Sequence, residues 1–154
     1  MKKIIETNRL YLRELNAADA ENFFLLNSDE EVIKYTGDKA FETITEAKSF
    51  LENYNPYHQF GYGRWAVIDK SNDEFLGWCG LKYSLEVDAV DIGFRFFKKH
   101  WNKGIATESA TACVAYGFEK LNLKTIVGRA MEANIASIKV NKKIGMNYIN
   151  TIDF

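Results

Sequence analysis

Proline is almost missing from this chain, with one residue at Pro56, and cysteine is scarce, at Cys79 and Cys113 alone. The two thiols sit in apolar surroundings without metal-ligand spacing, which argues against a disulfide framework or a metal site. Buried, reduced thiols are expected instead. Net charge is close to nil, at −1 from 20 basic and 21 acidic side chains. No global field therefore draws the chain to nucleic acid or to an anionic membrane. No apolar run approaches the ~18 residues of a membrane span, and residues 1–6 lack the sustained apolar core of a signal peptide. Internal repeats and low-complexity tracts are missing as well. A soluble, cytoplasmic, single domain over residues 1–154 is the expectation.

What is present is an ordinary globular composition, 47% apolar and 27% charged over 154 residues, enough to bury a sizeable core. Residues 9–15 alternate as a strand. Residues 17–26 carry apolar positions at helical spacing, with Asn16 as a cap. A second helix is predicted over 45–54, started by Thr45 and ended near Pro56, and residues 57–63 read as a loop. A hairpin over 64–69 and 74–82 and a long strand over 87–97 follow. The longest helix, 106–121, presents Ala106, Ala110, Cys113, Val114, Gly117 and Leu121 on one face. A strand over 124–131, a helix over 136–143 and a strand opening at Tyr148 complete the order. The pattern predicts an α+β fold, a mixed sheet with helices on both faces.

Chemistry concentrates between residues 91 and 108. A strand containing Gly93 leads into the basic loop His100-Trp101-Asn102-Lys103-Gly104, which opens the long helix at Ile105, Ala106 and Thr107. A helix N-terminus exposes unpaired N–H groups and positive dipole, so it takes anions if the backbone can come close. Gly104 clears that approach, and Lys98, Lys99 and Lys103 add charge. Neither a P-loop nor a dinucleotide fingerprint is present. A glycine inside an apolar strand, as at Gly93, marks a bulge or a close backbone approach. Asn134 and Ser137 open the last helix, and Asn141 lies further along it.

In this order the segments resemble the GNAT superfamily of N-acetyltransferases, in particular the RimJ/RimL-type branch that acts on ribosomal-protein N-termini. Thr7-Asn8-Arg9-Leu10-Tyr11-Leu12-Arg13, Phe75-Leu76-Gly77-Trp78-Cys79-Gly80, Asp91-Ile92-Gly93-Phe94, Trp101 to Glu108 and Asn134 to Met146 carry the likeness. It implies a mostly antiparallel sheet of six to seven strands whose fourth strand is bulged. It also implies acetyl-CoA as cofactor, its arm against the backbone of Ile92, Gly93, Phe94 and Phe96. The pyrophosphate would rest on Trp101, Asn102, Lys103, Gly104, Ile105, Ala106 and Thr107, with Asn134, Ser137 and Asn141 on the far side. The reaction implied is direct attack of a primary amine on the thioester.

That reaction needs a base, a polarised carbonyl and an acid for the thiolate. Asp91 is the candidate base, acting through water, with Glu86 and Asp88 as rivals. Asn141 stands where many relatives carry a tyrosine acid, and an amide offers a hydrogen bond rather than a proton. Tyr35, Trp65, Trp78 and Tyr83, with loop 55–63, are candidates to line the acceptor cleft. The acceptor is a protein N-terminus or a small amine. A catalytically silent acyl-CoA-binding sensor is the alternative. The family's last strand is expected to be missing, which would leave an open sheet edge and favour a homodimer.

Overall fold

The computed structural model describes residues 2–149. Six strands form one sheet in sequence order: β1 (Ile5–Glu6), β2 (Leu10–Glu14), β3 (Arg64–Asp69), β4 (Phe75–Ser84), β5 (Ala89–Phe96) and β6 (Ile126–Gly128). All neighbours are antiparallel except β5 and β6, which run parallel. That reversal follows from the connection: α5 (Ile105–Glu119) crosses over between them, as parallel neighbours require.

Strand periodicity sorts the core into two layers. On β3, Trp65 and Val67 join Leu10, Leu12, Cys79, Leu81, Ile92 and the α5 residues Ala110 and Cys113. Ala66 and Ile68 point the other way, onto Tyr11, Phe23, Leu26, Ala47 and Leu51. The second layer is built by α1 (Ala20–Leu26) and α3 (Ile44–Glu52). Helices thus cover both faces. Asn16 caps the turn before α1 in a reciprocal capping box with Asp19, which is itself gripped by Arg13 through two bonds of 2.8 Å.

Local chemistry explains the departures from expectation. Thr43, not Thr45, caps α3, its hydroxyl accepting from the Glu46 amide. Residues 57–63, expected as a loop, contain most of α4 (Pro56–Phe60), with proline in the first turn and Gly61 at φ +80° ending it; both positions suit those residues. β1 and the short α2 (Glu30–Ile33) were not predicted. The strand expected from Tyr148 falls mainly at residues 150–154, outside the described residues; Tyr148 and Ile149 are not in a strand.

The expected bulge at Gly93 is not in the ladder with β4, which keeps one register from Gly77–Phe96 to Ser84–Ala89. The irregularity lies between β3 and β4, beside Gly77 at φ +154°, where any side chain would strike the Arg95 carbonyl. Gly93 instead marks a parting. Its strand pairs with β6 from Val90–Ile126 as far as Ile92–Gly128, and among the described residues the edge of β5 is open beyond that point.

Candidate functional site

Where β5 and β6 part, a cleft of about 750 Å³ opens toward α6 (Ile135–Lys143). Asp91, Ile92, Gly93 and Phe94 line it from β5, Trp78 from β4, and Asn134, Ser137 and Asn141 from α6 and its cap. Tyr35 reaches it from the segment after α2. Asn134 is first of all a helix cap, its Oδ1 accepting from the Ser137 amide at 3.2 Å. The Asn141 amide rests on Gly128, where an added Cβ would come within 2.9 Å of its nitrogen.

Arginines dominate the polar floor. Arg64 faces Gly80, which faces Gly93, so two neighbouring strands leave a trough without side chains. The Arg64 guanidinium lies in it, over the Trp78 ring, 2.8 Å from the Gly80 carbonyl and 2.9 Å from Asp91 Oδ1. Arg129 binds Asp91 Oδ2 at 3.0 Å. Asp91 is thus buried and oriented by two guanidiniums, and each oxygen keeps a lone pair for a further donor. Of its rivals, Glu86 pairs with Arg129 at the exposed rim of the cleft, and Asp88, outside the lining, accepts from the Tyr83 hydroxyl.

Two of the four expected acceptor residues are misplaced. Trp65 is fully buried against Tyr116 beneath α5, and Tyr83 packs on that same layer. Both have the wrong parity on their strands: Trp78 projects into the cleft, so residues odd-numbered on β4, and Trp65 opposite Cys79, turn away. Arg64, Arg95 and Arg129 were missed as cleft residues. A glycine in each of two apolar segments, Gly80 and Gly93, was the available signal for a buried long side chain, but only the register shows that they are neighbours.

Trp101, Asn102, Lys103 and Gly104 form an exposed loop outside the cleft lining, at the far end of β5. Asn102 at φ +62° and Gly104 at φ +76° turn the chain into α5. Among the described residues no side chain caps this helix, so its first amides, at Ile105, Ala106 and Thr107, have no partner within the helix. Ile105 turns its own side chain into the core, leaving only backbone outward. The Trp101 indole donates to the Phe96 carbonyl at 2.9 Å and ties the loop to the strand end. Phe96 is therefore already engaged, and the open edge narrows to residues 93–95, about 10 Å of extended chain.

An unpredicted network holds this loop from the other side. Arg9 donates to the Lys103 carbonyl at 2.9 Å and, through Nε, to Glu108 at 2.7 Å. The Thr7 hydroxyl and the Arg9 amide take the other Glu108 oxygen. Burial alone would raise the Glu108 pKa, but these donors hold it below the ordinary carboxylate value. A fixed loop of free amides, an open strand edge and a polar cleft fit a ligand with a diphosphate, an extended arm and a reactive end.

Comparisons with known proteins agree. A family model described as an acetyltransferase (GNAT) domain matches residues 9–147. The uncharacterized protein YkkB of Bacillus subtilis is 35% identical over 98% of this chain and 89% of its own. The uncharacterized N-acetyltransferase YoaA of the same organism is 32% identical, covering 94% and 83%. A GNAT-family acetyltransferase structure from Bacillus anthracis superposes with a TM-score of 0.81 at 29% identity, covering 93% of this chain and 82% of that one. With the match running from β2 to beyond α6, the chain belongs to the GNAT acetyltransferases, enzymes whose acetyl donor is acetyl-CoA.

Proposed function

We propose that the protein transfers acetyl from acetyl-CoA to a primary amine, a protein N-terminal α-amine or a small molecule, by direct attack on the thioester. The observation that carries this is the uncapped start of α5 at Gly104, joined by the open edge of β5 to the cleft. When bound, acetyl-CoA supplies an activated carbonyl and a thiolate leaving group. The amides at 105–107 hold phosphate oxygens, and residues 93–95 offer backbone pairing to the arm. Asp91, fixed by Arg64 and Arg129, accepts the amine proton through water at its remaining lone pairs. The Asn141 amide donates a hydrogen bond toward the departing sulfur.

Trp101 at the loop start supports the RimJ/RimL-type branch, and free Cys79 and Cys113 suit a cytoplasmic setting. The test is thiol release from acetyl-CoA over a panel of amines and N-terminal peptides, beside CoA-induced thermal shift. Gly104→Asp places a carboxylate among the phosphate-binding amides and should abolish the shift. A wild-type protein without a shift would end the cofactor assignment. The amide at position 141, where a tyrosine acid is usual, favours the silent-sensor reading as second; a normal shift with no turnover selects it.

A further inference from the structure

The charges of the cleft bear on the acceptor. Arg64, Lys82 and Arg95 share one face of the sheet, on three adjacent strands, since Arg64 faces Gly80, Lys82 faces Asp91 and Trp78 faces Arg95. Lys39 and Arg129 complete the cationic lining. Against these five cations stand three acids, Asp38, Glu86 and Asp91, and all three are committed. Asp38 pairs with Arg95 at 2.7 Å, Glu86 with Arg129 at 3.3 Å, and Asp91 with both Arg64 and Arg129. Among the described residues no acid is paired with Lys39 or Lys82. A polycationic amine entering here meets no uncommitted carboxylate and an excess of like charge.

Arg95 adds a second, independent observation. Its side chain is only 11% exposed, and its Nε is buried with no hydrogen-bond partner among the described residues, a donor left unsatisfied. It is held by Asn27 and by Asp38, whose side chain is 59% exposed on the α2–α3 loop. The phosphate loop does not line this cleft, so these cations are additional to those expected around the cofactor diphosphate.

We infer that the acceptor amine carries an anionic group, a carboxylate or a phosphate, held by the cationic lining of the cleft, in which Lys39 and Lys82 are the cations not paired with an acid among the described residues. This rests on reading the cleft as the acceptor site of the acetyltransferase. The experiment compares charge-matched amines in acetyl-CoA thiol release: serine with serinamide for a carboxylate, glucosamine 6-phosphate with glucosamine for a phosphate, and spermidine as the polycation. The anionic member of at least one pair should have kcat/KM higher by about tenfold at low salt, with the margin shrinking as salt rises. Which pair responds identifies the source of the anion. Lys39→Glu with Lys82→Glu should bring that ratio to about one while leaving the CoA-induced thermal shift intact. Asp38→Asn should widen it. Equal or better turnover of the neutral amines or spermidine overturns the inference. If no amine is turned over, acyl transfer fails instead, and the same pairs are read by thermal shift of the CoA-saturated protein. Equal stabilisation by both members then overturns the inference too.

Discussion

Glu108 is the residue on which the loop at Gly104 depends. It collects the Thr7 hydroxyl, the Arg9 amide and the Arg9 guanidinium, and Arg9 in turn holds the Lys103 carbonyl. The folded-state pKa of Glu108 lies below its ordinary value. Its contribution to stability is therefore complete above the unfolded carboxylate pKa, about 4.3, and is lost as pH falls through the lower, folded value. Chemical denaturation between pH 6 and pH 3 should show wild type losing stability relative to Glu108→Gln on the acid side of about pH 4. Parallel curves would remove this role from Glu108. Arg9 and Glu108 are far apart in the chain, which is why reading the loop by itself did not find them.

At the scale of elements, the trough between β4 and β5 couples backbone to site. A Cβ at Gly93 would lie 2.7 Å from the Arg64 guanidinium, so Gly93→Ala evicts Arg64 from Asp91. Asp91 keeps Arg129, so the loss should stay below the about 3–5 kcal/mol of a buried charge left unpaired. The double variant Gly93→Ala, Arg64→Ala should then be little worse than Arg64→Ala, a strong departure from additivity in denaturant melts. Additive losses would mean that Gly93 acts through the backbone alone. Element types were largely legible in the sequence: β2, the β3–β4 hairpin, α5 and α6 lie close to where turn residues and apolar spacing put them. The loop read at residues 57–63 hid α4, whose helix is shorter than any periodicity can reveal.

For the molecule as a whole, the cofactor half of the site was more legible than the acceptor half. The loop that turns into α5 is local in the sequence, and Gly104 announces it. The cleft is assembled from β3, β4, β5, α1, α3, α6 and several connecting segments, so parity and register decide which strand side chains it receives. Trp65 and Tyr83 were assigned to it on aromatic character and belong to the opposite layer. At this scale β6 is the open question for assembly: among the described residues it pairs with β5 alone. An unpaired strand edge templates a second chain, so light scattering across a concentration series should show a dimer forming. A monomer throughout would dismiss that mode.

Cys79 on β4 and Cys113 on α5 face each other in the core, their sulfurs 3.7 Å apart and both fully buried. Burial also pushes the Cys113 thiol upward, away from the reactive thiolate. Coenzyme release is usually followed with a thiol-reactive chromophore, and a protein with accessible cysteines contaminates that signal. Here both thiols are sealed in the core, so the folded enzyme should add nothing to that signal. Any slow rise in the donor-free blank then reports molecules opening their core, so one cuvette records both turnover and the integrity of the catalyst.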